Sequence, residues 1–195
     1  MARPRAADYE DKRGSILSEA AKLFAASGYD RTSMSEIAQA LGVSKALFYH
    51  YYPSKDALLY AIIRDHLVHL VDTAETADDS SLPPETRLAA VIDAIFACYR
   101  GADAEHKVQI NHLAQLPAVQ KDELKALERR LVTCLSTVVR AVRPEMPLAK
   151  LRPVTMSLFG ILNWKYMWFR EGGAMSEAEY SALVTQMALA AIKIA

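Results

Sequence analysis

Apolar side chains recur along this chain every three to four positions, and nowhere do they alternate strictly, so the pattern predicts helices and no convincing strand. The first helix, over about 9–26, carries Ile16, Ala20, Leu23 and Phe24 on one stripe and stops at Ser27-Gly28. Residues 29–33 form a linker. Its Ser33 stands three residues ahead of Glu36, the S-x-x-E spacing that starts a helix by satisfying its first backbone donors. Gly42 ends this short second helix, Val43-Ser44 turns the chain, and a third short helix begins at Lys45 and runs until Pro53 stops it. Leu58, Leu59, Ile62, Ile63, Leu67, Leu70, Val71 and Ala74 then mark an amphipathic helix over about 55–77, roughly six turns long. After the loop at 78–84, helices follow at about 85–99, 104–116, 118–142, 148–171 and 176–194. The expected fold is all-α, with about nine helices and no internal repeat.

Composition narrows the class. With 52% hydrophobic and 24% charged residues, 7 Gly and 8 Pro, the chain reads as globular rather than disordered or low in complexity. Cys98 and Cys134 lie far apart, so neither a disulfide framework nor a Cys-x-x-Cys zinc site is available, and a reducing cytoplasm is the expected compartment. No apolar run approaches the roughly 20 residues that span a bilayer, and the opening MARPRAADYEDKRG lacks the apolar stretch of a signal peptide; neither export nor a membrane partner is expected. The 23 basic and 23 acidic residues balance. Cut after Lys55, the first part carries eight basic and six acidic side chains, net +2, and the rest is net −2. Bulk charge therefore announces no polyanion, and a nucleic-acid reading must rest on local geometry.

That geometry lies in residues 33–52, SMSEIAQALGVSKALFYHYY. Two short helices can cross steeply at a tight turn when their facing sides are apolar and the crossing point is small. Ile37, Ala38, Leu41, Val43, Phe48 and Tyr51 are placed inward, with Gly42 supplying the turn. Lys45, Ala46, Leu47, Tyr49 and His50 then face outward, a mixture of donors and small apolar groups suited to phosphates and base edges. The motif is a helix-turn-helix.

The run from Ile16 to Leu59, ILSEAAKLFAASGYDRTSMSEIAQALGVSKALFYHYYPSKDALL, resembles the DNA-binding domain of the tetracycline-repressor (TetR) family of bacterial transcription regulators, a likeness that extends over residues 12–70. The resemblance implies an all-α homodimer on double-stranded DNA, a DNA-binding domain at 1–54 and a ligand-binding and dimerisation domain at 55–195. It also implies a bacterial, cytoplasmic, nucleoid-associated repressor. Carried onto this chain, Thr32 and Ser33 offer hydroxyls and helix-start N–H groups to a phosphate, while Ser44, Lys45, Tyr49, His50 and Lys55 clamp the backbone along the major groove. Ala46-Leu47 stands where the family often has Gly-Thr, so a hydroxyl is lost and Leu47 is left to touch a thymine methyl. A recognition helix this short implies two copies and a near-palindromic operator.

The second half carries Met156, Leu158, Phe159, Ile161, Leu162, Trp164, Tyr166, Met167, Trp168 and Phe169 within fourteen positions. A helix apolar nearly all round must be covered on most sides, here by a partner subunit on one face and a pocket on the other. Dimerisation through about 148–171 and 176–194 is also what the family resemblance implies. The block LFGILNWKYMWFREGG is similar to one in family members that sense acyl-coenzyme A thioesters and control fatty-acid, steroid-ring or phenylacetate degradation. On that basis Gly160 opens space, Phe159, Trp164 and Trp168 wall it, and Asn163 orients a thioester carbonyl. Tyr99, Gln109, His112 and Leu113 line the acyl or aryl chamber. Candidate cations for the coenzyme phosphates are Arg170, Lys165, Arg129, Arg130 and Arg100.

No cofactor is expected beyond such an effector. His66 and His69 have a metal-chelating spacing but lack a third and fourth ligand, and the chain contains no G-x-S-x-G elbow, P-loop or Rossmann fingerprint. Catalysis has no foothold. Two alternatives stay open: an efflux repressor responding to aromatic drugs, and a helical small-molecule-binding protein without DNA binding.

Overall fold

The computed structural model describes the backbone of residues 3–195, with side chains at Tyr9 and over 12–195. Among the described residues there are nine α-helices and no strand: α1 (Arg3–Ser27), α2 (Met34–Ala40), α3 (Lys45–Tyr51), α4 (Lys55–Ala77), α5 (Pro84–Tyr99), α6 (Asp103–His112), α7 (Ala118–Val142), α8 (Leu148–Trp168) and α9 (Glu177–Ile194). The expected sixth helix ends early, at His112, and tightens into a single 3₁₀ turn over Leu113–Gln115. The eighth stops at Trp168 rather than near 171. Phe169 turns to an extended conformation there, which sets its ring beside Tyr180, 5.5 Å between centroids.

The helices gather into two compact units that interleave along the chain: Met1–Leu67 with Ala102–Leu124, and Val68–Gly101 with Lys125–Ala195. This is a division by packing and differs from one by chain order, because α6 packs against α1. In the first unit Ile16, Ala20 and Phe24 of α1 are buried with Ile37, Phe48, Leu58, Ile62 and Val108. Gly28 (φ 86°) ends α1 and Gly42 (φ 64°) makes the α2–α3 turn, a backbone conformation that side-chain-bearing residues adopt at a cost. In the second unit one core joins Val91, Ile95 and Phe96 of α5, Leu135 and Val138 of α7, Leu158 and Leu162 of α8, and Val184 and Ala188 of α9. No described helix is long and apolar enough to cross a membrane.

Candidate functional site

The short helix α3 is held from below and open above. Phe48 is fully buried, whereas Lys45, Ala46 and His50 are exposed and Tyr49 is 47% exposed. Ser44 caps the helix by accepting a hydrogen bond from the Leu47 N–H at 3.2 Å. Tyr51 does not enter the core as expected. It is half-buried and stacks on Tyr9 of α1, centroids 4.9 Å apart, while Tyr52 is the aromatic that goes inside. Leu41, Val43 and Leu47 are likewise half-buried. The outward set of Ser44, Lys45, Tyr49 and His50 therefore stands together on one surface.

Three other expected contacts are spent on the fold. Thr32 is buried, and its hydroxyl donates to the Gly28 carbonyl at 2.9 Å, closing the end of α1. Ser33 and Glu36 form a reciprocal cap: the Glu36 N–H donates to the Ser33 hydroxyl at 3.2 Å and the Ser33 N–H to the Glu36 carboxylate at 2.6 Å. Those bonds hold the Glu36 carboxyl below its ordinary range, so an anion already occupies the Ser33 N–H that a phosphate was expected to use. Lys55 donates to the Thr32 carbonyl at 3.0 Å and to that of Asp30 at 3.4 Å, and lies 4.3 Å over the Tyr29 ring. It ties the linker to α4 rather than reaching outward.

Tyr29, which the sequence pattern left in a linker, organises this corner. Its ring meets Phe24 edge-on at 5.1 Å and His112 of α6 at 5.8 Å, and its hydroxyl donates to the Asp56 carboxylate. Burial, with the hydrogen bond and charge of Asp56, pushes the Tyr29 phenol well above its ordinary value; burial also pushes Tyr52 up to about 12. Both raise the folded-state pKa of a group that is neutral when protonated. Their stabilising contribution is complete below the unfolded value of 10.0 and is lost as the pH rises through the folded ones. Thermal melts are expected to show a falling midpoint from about pH 10 upward, and Tyr29→Phe to flatten that fall; an identical alkaline slope in the variant would contradict this.

The candidate effector residues are dispersed. Gln109, His112 and Leu113 belong to the first unit, with the helix-turn-helix; the others belong to the second. There Tyr99 and Asn163 do meet, the buried phenol donating to the Asn163 Oδ1 at 2.7 Å. Phe159 is a core side chain. Gly160, Trp164 (58% exposed) and Trp168 (51%) instead face outward, and a Cβ built on Gly160 meets nothing within 4 Å. They form an open surface, not the wall of an enclosed chamber.

Three of the five expected phosphate cations are committed elsewhere. Lys165 is buried and pairs with Glu177, lying 5.0 Å from the Phe169 ring centre, and Arg100 binds the same carboxylate at 2.6 Å. This cluster fastens the ends of α5 and α8 to the start of α9, a partnership no local spacing reveals. Burial pushes the Glu177 carboxyl up, but the hydrogen bonds and charges of Lys165 and Arg100 outweigh it and hold the group below the ordinary carboxylate range. Glu177→Gln leaves the Lys165 ammonium buried without its counter-charge and is expected to lower stability by about 3 kcal/mol, read by chemical denaturation. A loss below about 0.5 kcal/mol would show the pair to be dispensable. Arg130 is also paired, with Glu75 at 2.7 Å; Arg129 and Arg170 are exposed.

His66 and His69 do not act together. His66 is buried edge-on to His106 of α6, centroids 5.7 Å apart, while His69 is exposed, and no group of three or more potential ligands among the described residues could hold a metal ion.

Residues 16–62 match the family described as bacterial regulatory proteins, tetR family, and residues 81–192 match the tetracyclin repressor-like C-terminal domain. The structure is similar to that of a TetR-family transcriptional regulator from Bordetella parapertussis 12822, with a TM-score of 0.85 and 30% identity over 91% of this chain and 93% of that one. It shares the fold of AibR, solved in complex with isovaleryl coenzyme A and operator DNA, at a TM-score of 0.76 and 23% identity over 92% and 97% of the two chains. Among curated proteins, the HTH-type transcriptional activator FasR of Mycolicibacterium smegmatis is 33% identical over 87 residues, which is 45% of this chain and 40% of FasR. The match thus spans less than half of that relative's length. The relatives are named as transcriptional regulators, not enzymes.

Proposed function

The chain belongs to the TetR family of bacterial regulatory proteins, and from that premise we propose that it is a dimeric operator-binding repressor that a coenzyme A thioester releases from DNA. The observation that carries the DNA-binding part is the surface of α3. Phe48 anchors the helix, and Lys45, Tyr49, His50 and the capping Ser44 point away from the fold, where a phosphate backbone and major-groove edges are within their chemistry. So short a helix buries little area alone, which is the argument for two copies and a near-palindromic operator.

The dimer surface proposed is the outer face of α8 and α9. Met156, Gly160, Trp164, Met167 and Trp168 lie along one side of α8, and Leu183, Met187 and Ile194 along one side of α9, all exposed. The opposite side of each helix is already buried in its own core, so the apolar outer side is left for a second copy.

The effector reading rests on the sixteen-residue block 158–173, in which Asn163 meets the buried Tyr99, and on a fold that holds a coenzyme A thioester in AibR. The ligand shifts the balance between DNA-bound and free forms by its differential affinity for the two, with α4, which runs through both units, the proposed relay. The test is fluorescence anisotropy of the protein on its own upstream DNA, titrated with free coenzyme A, phenylacetyl-CoA and fatty acyl-CoAs. Release by a thioester with free coenzyme A inert is expected; DNA binding indifferent to every thioester would discard this effector class and favour drug-like ligands.

A further inference from the structure

Between α7 and the first half of α8 runs a groove of about 720 Å³, within the range of small-molecule sites. Its charges are one-sided. Lys125 and Arg129, one turn apart on α7, and Arg152 on α8 face a single lining carboxylate, Glu128. Elsewhere Arg13, Arg64, Arg87, Arg100, Arg130 and Arg143 each hold a carboxylate, and Arg31, Arg140 and Arg170 donate to backbone carbonyls. Among the described residues no such pair ties Lys125, Arg129 or Arg152, and all three are exposed.

The other polar groups of the groove add few donors. The Thr133 hydroxyl donates to the Arg129 carbonyl at 2.8 Å, Ser136 to the Thr133 carbonyl at 3.0 Å, and Thr155 to the Leu151 carbonyl at 2.8 Å, so these protons are turned back onto their own helices. A neutral polar solute finds little here, while an anion finds three cations, two of them guanidinium forks that match phosphate oxygens. Val132 and Leu151 supply apolar surface beside them. The chemistry is that of a phosphate-bearing amphiphile.

We propose that this groove holds the phosphates of the effector, with Lys125, Arg129 and Arg152 as the anion-binding set in place of the committed Lys165 and Arg100. The assignment rests on the effector reading above, and it separates recognition of the phosphates from recognition of the acyl group.

Calorimetry on the full-length protein tests it, with phenylacetyl-CoA and octanoyl-CoA each compared with the same thioester of pantetheine, which lacks the nucleotide and its phosphates. Wild type is expected to bind at least one coenzyme A ester more tightly than its pantetheine counterpart. Arg129→Gln with Arg152→Gln weakens that ester at least tenfold and leaves pantetheine-thioester affinity and operator binding unchanged, and Arg129→Lys with Arg152→Lys restores part of the loss. Lys22→Gln with Lys107→Gln, which removes the same charge elsewhere, leaves affinity unchanged. Undiminished coenzyme A ester binding in the Arg129→Gln, Arg152→Gln protein, or equal loss of both ligand types, would overturn the groove assignment while leaving the effector reading in place. Wild type that binds no coenzyme A ester would overturn both.

Discussion

Trp164→Glu is expected to split the dimer into monomers. Trp164 is 58% exposed on the outer face of α8, and in a two-fold assembly each copy of the substitution is felt twice. Burying an unpaired carboxylate in an apolar interface costs about 2 kcal/mol per copy or more, hence about 4 kcal/mol per dimer, roughly a thousandfold in the dimer constant. Analytical ultracentrifugation should show it, and operator affinity should fall with it because each α3 is left alone on its half-site. Met187→Glu, on the exposed face of α9, is expected to act the same way. Monomers that retain the wild-type melting profile would confirm that the substitution acts between copies. A Trp164→Glu protein that stays dimeric, binds DNA and loses only its response to ligand would move Trp164 from the dimer face to the effector site.

The second large effect is expected at Tyr49. With 47% of its surface exposed on α3, its loss should leave dimerisation and stability untouched. A phosphate hydrogen bond and the ring's packing against the DNA backbone are together worth about 1.4 kcal/mol per half-site, so Tyr49→Ala should weaken operator binding about tenfold per half-site and about a hundredfold per dimer. Tyr49→Phe, which keeps the ring, should lose less and reports the hydroxyl alone. Wild-type affinity in Tyr49→Ala would remove the residue from the interface.

The helix-turn-helix was legible in sequence because its signals are local: the Ser33–Glu36 cap, Gly42 at the turn, the Ser44 cap and the stop at Pro53 act within a few residues of themselves. α8 reads in sequence only as apolar nearly all round; the structure divides it into a core side with Leu158 and Leu162 and an exposed side with Met156 and Trp164, a split that the count of apolar residues does not show. Periodicity does not say which donors the fold consumes. Thr32 and Lys55 look available in sequence, yet one closes α1 and the other holds the carbonyls of the linker. Lys165 and Arg100 look like phosphate ligands until Glu177, twelve and 77 residues away, takes both. His66 and His69 share a helical face on paper, but His106 on α6 decides that only the first is inside. Of the groove cations only Arg129 was a candidate in sequence; Lys125 and Arg152 were missed, because Arg152 comes beside Lys125 and Arg129 only when α8 packs along α7.

The central claim is that the exposed surface of α3, presented twice, binds operator DNA. It is tested most directly by fluorescence anisotropy of the wild-type protein on its own upstream DNA across a series of salt concentrations, with Tyr49→Ala measured alongside. Phosphate clamping predicts saturable binding whose logarithmic affinity falls linearly with the logarithm of salt, and a large loss in Tyr49→Ala at every salt concentration. A dimeric protein that shows no salt-sensitive binding to that DNA, or binds it equally well without Tyr49, would contradict the account.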